Sequence, residues 1–282
     1  MTSLIQETKA ALRELGISPR KKMGQNFMIR EESLQAIANA LALKEGESVV
    51  EIGAGLGFLT RVLLQEKAQV VAIEKDAVLA GRLKNAFKGR PLEIVESDIL
   101  KLNLKKDLGL DGPIKLAGNI PYHITSPLLE WLVDQRRVIQ EAVLTVQWEV
   151  ALRLTASPNT KAWGALSIFE QVYSQTALVQ KIDKSHFYPV PKVDSAIVRL
   201  KFSDKPLYPI GSEEKFFALV RRAFQKRRKT LLNSLRADDE MGLSKQVLLD
   251  AFEKVHLDPR RRPETLSIPE WAVLSDILPC AV

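Results

Sequence analysis

Glycines and acidic residues fall at the ends of three consecutive apolar runs in the first hundred residues. The first run ends in a turn with the spacing G-x-G-x-G, formed by Gly53, Gly55 and Gly57. The next two runs end in Glu74 and Asp98. Glycines let the backbone approach a ligand closely, and a carboxylate can accept hydrogen bonds from two ribose hydroxyls. This pattern predicts a nucleoside at the carboxyl edge of a parallel sheet; a glycine turn with two helix-capping acids is the alternative.

The glycine spacing distinguishes this turn from two phosphate-binding motifs. Dinucleotide-binding folds use G-x-G-x-x-G, and a P-loop needs a Lys followed by Ser or Thr after its glycines. Neither pattern follows the strand here. The predicted ligand therefore need not carry a phosphate.

The fourth apolar run ends in Asn119, Ile120, Pro121 and Tyr122. This motif resembles the N-L-P-Y or N/D-P-P-Y motif of the N6-adenine methyltransferases. The amine of adenine is a poor nucleophile because its lone pair is delocalised into the ring. The resemblance implies that the Asn119 side-chain oxygen and the Ile120 carbonyl hold both amine hydrogens, which favours a pyramidal nitrogen, and that Tyr122 stacks on the flipped base. A turn with a buried tyrosine is the alternative interpretation.

Two further stretches are similar to motifs of the ribosomal RNA adenine dimethyltransferases. The segment M-G-Q-N-F-M at 23–28 resembles G-Q-N-F-L, which implies that Asn26 and Met28 line the cofactor pocket. The segment F-Y-P-V-P-K-V-D-S at 187–195 resembles F-x-P-x-P-K-V-x-S, which implies that Phe187 sandwiches the target base opposite the motif tyrosine. The similarity runs from about residue 20 to 272. Met28 and Ile120 stand where leucine is usual in the family.

The resemblance implies an S-adenosyl-L-methionine-dependent enzyme that dimethylates N6 of two adjacent adenosines near the 3′ end of small-subunit (16S) ribosomal RNA in ribosome biogenesis. Its expected partners are that RNA and its assembly intermediate, and no metal is required. The implied cofactor contacts are Asn26, Met28, Gly53, Gly55, Gly57, Glu74, Asp98 and Asn119. The implied catalytic contacts are Asn119, Ile120, Pro121, Tyr122 and Phe187. The alternatives are a large-subunit rRNA or DNA adenine methyltransferase and a non-catalytic ribosome-assembly factor with the same fold.

The elements that position these motifs follow an α/β pattern, because β-rich runs alternate with amphipathic helical stretches through the first 150 residues. The runs at 48–53, 69–74, 92–98, 113–119 and 141–147 are almost continuously apolar. Such strands are typical of a sheet with helices on both faces. We predict a doubly wound, Rossmann-like sheet whose edge is extended by antiparallel strands formed after Lys161.

The C-terminal part changes to helices without strands after the turn-rich stretch at 203–212. We predict an S-adenosylmethionine-binding catalytic domain at 1–205 and a small, all-helical RNA-binding domain at 206–282. The stretch from Lys215 to Arg236 holds eight basic residues and no acid. Drawn as one helix, it has an apolar face and an opposite basic face that is predicted to contact phosphates, formed by Arg221, Arg222, Lys226, Arg228 and Lys229. Arg227 falls on the apolar side and is predicted to pair with a carboxylate. For the basic face, the alternative is that it is merely solvated and binds no RNA.

Composition agrees with a soluble globular protein that has a polyanionic partner. The 282 residues include 41 Lys and Arg against 34 Asp and Glu, a net charge of +7. No run approaches the ~20 apolar residues of a membrane span, and the N-terminus does not resemble a secretory signal, so we expect a cytoplasmic protein. A monomer is the expected oligomeric state. The single cysteine, Cys280, excludes an intrachain disulfide. His123, His186 and His256 lack metal-ligand spacing, and neither the first two nor Lys192 has an assigned role.

Overall fold

The computed structural model describes residues 3–19, 24–226, 228–236 and 244–279. Two compact units are formed, one by Met1–Ala151 with Gln175–Ser203 and the other by Leu152–Ser174 with Asp204–Val282. We call them the sheet unit and the helical unit. The sequence placed residues 152–174 in the first domain, whereas in the structure they belong to the helical unit. That the two units act as a catalytic and an RNA-binding domain stays a prediction.

The strands are β1 (Phe27–Met28), β2 (Ser48–Ile52), β3 (Gln69–Glu74), β4 (Leu92–Glu96), β5 (Ile114–Asn119), β6 (Ile139–Gln147), β7 (Ser174–Ile182), β8 (Phe187–Tyr188) and β9 (Ser195–Phe202). Seven of these strands form one mostly parallel sheet, in the order β4-β3-β2-β5-β6-β9-β7, and β1 pairs with β8 separately. Strands β2 to β6 run parallel to one another, and β9 is antiparallel to β6. The predicted doubly wound sheet with an antiparallel extension is therefore confirmed.

Helices connect the strands and build the helical unit. Those in the part of the chain that the structure describes are α1 (Leu4–Glu14), α2 (Glu31–Leu41), α3 (Phe58–Gln65), α4 (Ala77–Ala86), α5 (Leu104–Leu108), α6 (Thr125–Asp134), α7 (Trp148–Leu154), α8 (Ala165–Tyr173), α9 (Glu213–Gln225), α10 (Leu231–Arg236), α11 (Lys245–Lys254) and α12 (Ile268–Ile277). Within the same ranges, none of these helices has the length and apolar character needed to cross a bilayer.

The central strands are apolar at consecutive positions because both faces of the sheet are covered. Val49 and Val50 of β2 point to opposite faces, and so do Leu116 and Ala117 of β5, yet all four side chains are fully buried. The chain goes from β2 to β3 and β4 on one side, then returns to β5 on the other side of β2. The carboxyl ends of β2 and β5 therefore flank the crevice where such sheets bind ligands.

The basic stretch of the helical unit does not form the single helix that the sequence predicted. Helix α9 ends at Gln225, and α10 begins only at Leu231. The first N–H groups of α10 do not continue the preceding helix: Leu231 N–H donates to the Arg261 carbonyl at 2.6 Å, and Leu232 N–H donates to the Pro259 carbonyl at 3.3 Å. A distant loop thus satisfies the first N–H groups of α10, which start a new helix.

Candidate active site

A cavity of about 310 Å³ lies at the carboxyl ends of β2, β3 and β5 in the sheet unit. Most of the predicted site residues line it, namely Asn26, Met28, Gly53, Gly55, Glu74, Asp98, Asn119, Ile120, Pro121 and Tyr122. Gly57 and Phe187 are not among its lining residues. Motifs almost 100 residues apart in the chain thus share one cavity, because parallel strands present their carboxyl ends at one sheet edge.

The glycine turn and Glu74 form one hydrogen-bonded unit. Gly53 and Gly55 adopt φ values of +70° and +59°, which favour glycine. Gly55 N–H donates to Glu74 Oε2 at 2.8 Å, and Asp76 N–H donates to Oε1 at 2.8 Å. Burial raises the pKa of Glu74, and these two N–H donors only partly oppose that effect. The carboxylate is therefore fixed at the cavity wall, and each oxygen retains a lone pair for a ligand hydroxyl.

Gly57 supports this turn from behind. Its φ is +84°, and a Cβ atom there would lie 2.6 Å from Phe87 Cε2 and 2.8 Å from Leu83 Cδ2. A side chain would therefore collide with the end of α4. In this structure the glycine is required for helix packing, and its predicted contact with the cofactor stays a prediction.

Asp98 lies at the cavity wall beside Lys75. Lys75 Nζ donates to Asp98 Oδ2 at 2.8 Å, and Leu100 N–H donates to Oδ1 at 3.2 Å. Burial alone would raise the pKa of Asp98, but the hydrogen bond from Lys75 and that from Leu100 lower it below its ordinary value. Asp98 is therefore an ionised acceptor at neutral pH, and Lys75, for which no role was predicted, is its ion-pair partner.

Asn119 ends β5 with a defined amide orientation. Its Nδ2 donates to the Asn26 carbonyl oxygen at 2.7 Å. Because a carbonyl can only accept, the nitrogen must face Asn26, and Oδ1 remains as the acceptor of this side chain. Both residues line the cavity. No role was predicted for the preceding residue, Gly118. In the structure a Cβ atom there would lie 2.9 Å from the Ile52 carbonyl oxygen.

The next three residues turn the chain across the cavity. Ile120 N–H donates to the Thr145 carbonyl at 3.3 Å, so the group this residue can offer a ligand is its own carbonyl. Pro121 leads into a short 3₁₀ helix at Tyr122–Ile124. The Tyr122 hydroxyl shares a hydrogen bond with Ser195 Oγ at 2.7 Å. Burial raises the pKa of Tyr122, which keeps the phenol protonated.

Phe187 is placed differently from the sequence-based expectation. Its ring is 1% exposed and belongs to the main core cluster. Met28 pairs with Phe187 across the β1–β8 ladder, and Ile29 N–H donates to the His186 carbonyl at 2.8 Å. His186 Nδ1 also lies 2.8 Å from Ser33 Oγ. The ladder thus joins the two family-like motifs, whereas stacking of Phe187 on a base stays a prediction that requires its ring to become exposed.

Two further lining residues carry chemistry that the sequence did not assign. Glu51 is fully buried beside the glycine turn, and Thr60 Oγ1 donates to its Oε2 at 2.6 Å. Burial raises the pKa of Glu51 to about 7. His123 is exposed at the cavity, where its Nδ1 would lie 3.0 Å from a Cβ atom on Gly24. The available signal for Glu51 was an acid within an apolar strand, two residues before Gly53.

The basic residues of the helical unit divide into an exposed and a buried set. Arg221, Lys226, Arg228 and Lys229 are exposed. Arg222 is 9% exposed, and its Nε donates to the Leu235 carbonyl at 2.7 Å. Its predicted place on the exposed face is wrong, because the helix breaks after Gln225 and α10 packs back against α9. We call the four exposed residues the basic face.

The remaining sequence-based expectations concern three residues outside the described ranges, a metal site and Lys192. Arg227, Met23 and Cys280 lie outside the described residues. In the described ranges, no three His, Cys, Asp or Glu side chains are grouped in a way that could hold a metal ion. Lys192 is exposed in the loop after β8.

The chain is similar to known proteins over most of its length. The sequence model of a family described as ribosomal RNA adenine dimethylase matches residues 16–272. The chain belongs to the ribosomal RNA adenine dimethylase family. This family member is 40% identical over 280 residues to "Ribosomal RNA small subunit methyltransferase A" of Moorella thermoacetica. The aligned region covers 96% of each protein.

Two solved structures share the fold of this family member. A dimethyladenosine transferase from Plasmodium falciparum is 27% identical, with a TM-score of 0.75 and coverage of 87% of this chain and 94% of that one. The 23S rRNA methyltransferase ErmE is 28% identical, with a TM-score of 0.70 and coverage of 90% and 99%. The predicted Rossmann-like methyltransferase fold is confirmed.

The cavity of this dimethylase fits the methyl donor of the family, S-adenosyl-L-methionine. When bound, the donor supplies an electrophilic methyl group on a positively charged sulfur. Glu74 would hold its ribose, and Asp98 would provide a second acceptor for it at the cavity wall. The glycine turn leaves the backbone open to close approach, and Leu56, Phe58 and Ile99 provide apolar walls. This donor set suits the hydroxyls and amine of a nucleoside better than a phosphate, because Glu74 and Asp98 are acceptors and the lining lysine, Lys75, is paired with Asp98.

Proposed function

We propose that the chain dimethylates N6 of two adjacent adenosines near the 3′ end of small-subunit (16S) rRNA in ribosome biogenesis, as a cytoplasmic monomer. Its partners are then the small-subunit rRNA and an assembly intermediate that carries it. The observation that carries the proposal is the fixed orientation of Asn119, whose Nδ2 is bound to the Asn26 carbonyl at 2.7 Å. The small-subunit target is supported by the name of the 40% identical relative.

In this proposal the chain acts by positioning. Asn119 Oδ1 and the Ile120 carbonyl accept the two hydrogens of the adenine amine, so that its lone pair is directed away from the ring. The nitrogen must stand about 3 to 3.5 Å from the methyl carbon, in line with the breaking bond. Pro121 fixes the turn, and the Tyr122 ring stacks on the flipped base. Phe187 is the proposed second stacking partner once its ring is exposed.

RNA docking is assigned to the helical unit. The basic face of Arg221, Lys226, Arg228 and Lys229 provides exposed positive charge that suits phosphates. Arg222 instead ties α9 to the end of α10 and is proposed to act only by supporting that surface.

The test is methyl transfer from labelled S-adenosyl-L-methionine to four separate substrates: immature small subunits, naked small-subunit rRNA, large-subunit rRNA and DNA. Mass spectrometry of the nucleosides identifies the product. We expect N6,N6-dimethyladenosine in small-subunit material alone. A product only in large-subunit rRNA would favour the second candidate function, to which the similarity with ErmE points. Binding to small subunits with no transfer would favour a non-catalytic assembly factor.

A further inference from the structure

Ser195 and Tyr122 are joined by a hydrogen bond for which the mechanism above has no use. Their oxygens lie 2.7 Å apart, although the residues are 73 positions apart in the chain. Tyr122 lines the cavity, whereas Ser195 is fully buried and is not a lining residue. Ser195 therefore cannot touch a ligand in the cavity and can reach the reaction only through Tyr122.

The serine hydroxyl is presented from a rigid position. Ser195 is the first residue of β9 and pairs with Gln147 in the antiparallel ladder with β6. The neighbouring Asp194 accepts Trp148 N–H on its carbonyl at 3.0 Å. Its carboxylate accepts Lys184 N–H at 3.2 Å and Lys181 Nζ at 3.0 Å. The strand start is thus held on both sides of the serine.

The tyrosine, in contrast, begins a single turn of 3₁₀ helix, held by backbone hydrogen bonds from Ile124 N–H to the Pro121 carbonyl at 3.1 Å and from Thr125 N–H to the Tyr122 carbonyl. A short turn of this kind fixes the backbone but leaves the two side-chain torsions to the surroundings. Stacking on a base needs only the ring face, which phenylalanine would also provide. The hydroxyl is therefore the part of Tyr122 that can fix the angle of the ring.

We propose that Ser195 is a positioning residue that holds the Tyr122 ring at the angle required to stack on the target adenine. The inference rests on the proposed function, since it assumes a base in the cavity. It assigns a role to the last residue of the segment 187–195, which is distinct from base contact. It also gives a reason for a buried hydroxyl at the first position of β9.

The experiment is a double-mutant cycle on methyl transfer with Ser195→Ala, Tyr122→Phe and the double variant. Each single variant removes one half of the same hydrogen bond and keeps the ring. We expect each to lower kcat/KM for the RNA substrate roughly three- to tenfold, the range that follows from the net free energy of one hydrogen bond, with the cofactor Kd unchanged. The double variant should lose no more than either single variant.

A matched control is Ser275→Ala, because Ser275 is also a buried serine, and its hydroxyl donates within α12 to the Ala272 carbonyl at 2.8 Å. It should show wild-type kcat/KM. Losses that multiply in the double variant, or a Ser195→Ala loss equal to that of the control, would overturn the proposal.

A second measurement does not depend on activity. The chain has four tyrosines, so ring motion of Tyr122 can be followed by NMR of ¹³C-labelled tyrosine and assigned with Tyr122→Phe. Ser195→Ala should speed the ring flips of Tyr122 and leave the other tyrosines unchanged; an unaltered Tyr122 signal would refute positioning. If wild-type protein fails to methylate any RNA, the proposed function fails, while the ring-motion result still decides the role of Ser195.

Discussion

The cavity of the sheet unit and the basic face of the helical unit hold their functional groups in opposite ways. At the cavity each acceptor is fixed by a short hydrogen bond, as Glu74 is by Gly55 at 2.8 Å and Asn119 is by Asn26 at 2.7 Å. The basic face presents exposed Lys and Arg side chains at the break between α9 and α10. A site that depends on fixed geometry loses activity when one contacting atom is removed, whereas RNA binding by a charged surface depends on the total number of its charges. The comparison therefore predicts decisive single substitutions in the first region and graded, salt-dependent ones in the second.

The largest effect is expected for Asn119→Ala. The variant should bind S-adenosyl-L-methionine within a few fold of wild type, while the single-turnover transfer rate falls by about two orders of magnitude or more, because the lost acceptor acts chiefly in the transition state. Calorimetry measures the first quantity and rapid quench the second. Asn233→Ala, at an exposed asparagine of α10, is the control. A transfer rate that survives Asn119→Ala would break the claim that the cavity depends on single atoms.

The next largest effect is expected for Glu74→Ala. Loss of a charge-assisted acceptor should weaken cofactor binding by roughly 1.5 to 3 kcal/mol, which is about 10- to 150-fold in Kd. The structure adds a second expectation: stability should fall by about 1 to 3 kcal/mol, because two N–H groups lose their acceptor. Titration calorimetry and urea unfolding separate the two effects. Glu45→Ala, at an exposed ion pair with Lys67, should change neither. Unchanged cofactor affinity in folded Glu74→Ala would mean that another group holds the ribose.

Replacing Arg221, Lys226 and Lys229 together by Gln should produce a graded effect. The slope of log affinity for small-subunit RNA against log salt should flatten by about two to three units, since each lost phosphate contact removes close to one unit. Cofactor affinity should not change. Arg222→Gln is the matched comparison, because this arginine is buried against the Leu235 carbonyl. It should keep the wild-type slope and lose about 1 to 3 kcal/mol of stability. Identical slopes in the triple variant and wild type would leave the basic face as a merely solvated surface.

The smallest effect on activity is expected for Glu170→Gln in α8. Glu170 is fully buried, and burial raises its pKa from 4.5 to about 8. The folded state therefore keeps the proton up to about pH 8, while the unfolded state releases it near pH 4.5, so wild-type stability should decline across this window as pH rises. Glu170→Gln should lack that part of the decline. Urea unfolding of both proteins between pH 5 and 8 measures the difference; parallel curves would show that Glu170 is ionised in the folded state.

The amino-acid sequence was sufficient to predict the sheet and the order of the motifs along it. Strands β2 to β6 lie where the apolar runs predicted. The inner strands among them are apolar at consecutive positions because both of their faces are covered, whereas β4 is an edge strand that is only partly buried. The convergence of the glycine turn, Glu74, Asp98 and Asn119 also followed, since parallel strands present their carboxyl ends at one edge. These inferences depend on local pattern and on one topological rule, both of which are written in a single chain.

Which residues reach the cavity and which support it could be seen only from the tertiary contacts. Gly57 packs against Leu83 and Phe87, Phe187 is buried in the core, and Arg222 is covered by α10. The first N–H group after the helix break, that of Leu231, donates to the Arg261 carbonyl, thirty residues away. Each of these outcomes is set by contacts between segments distant in sequence. A pattern within one segment records the polarity of its residues, but the partner that buries or exposes each side chain is supplied by another part of the fold.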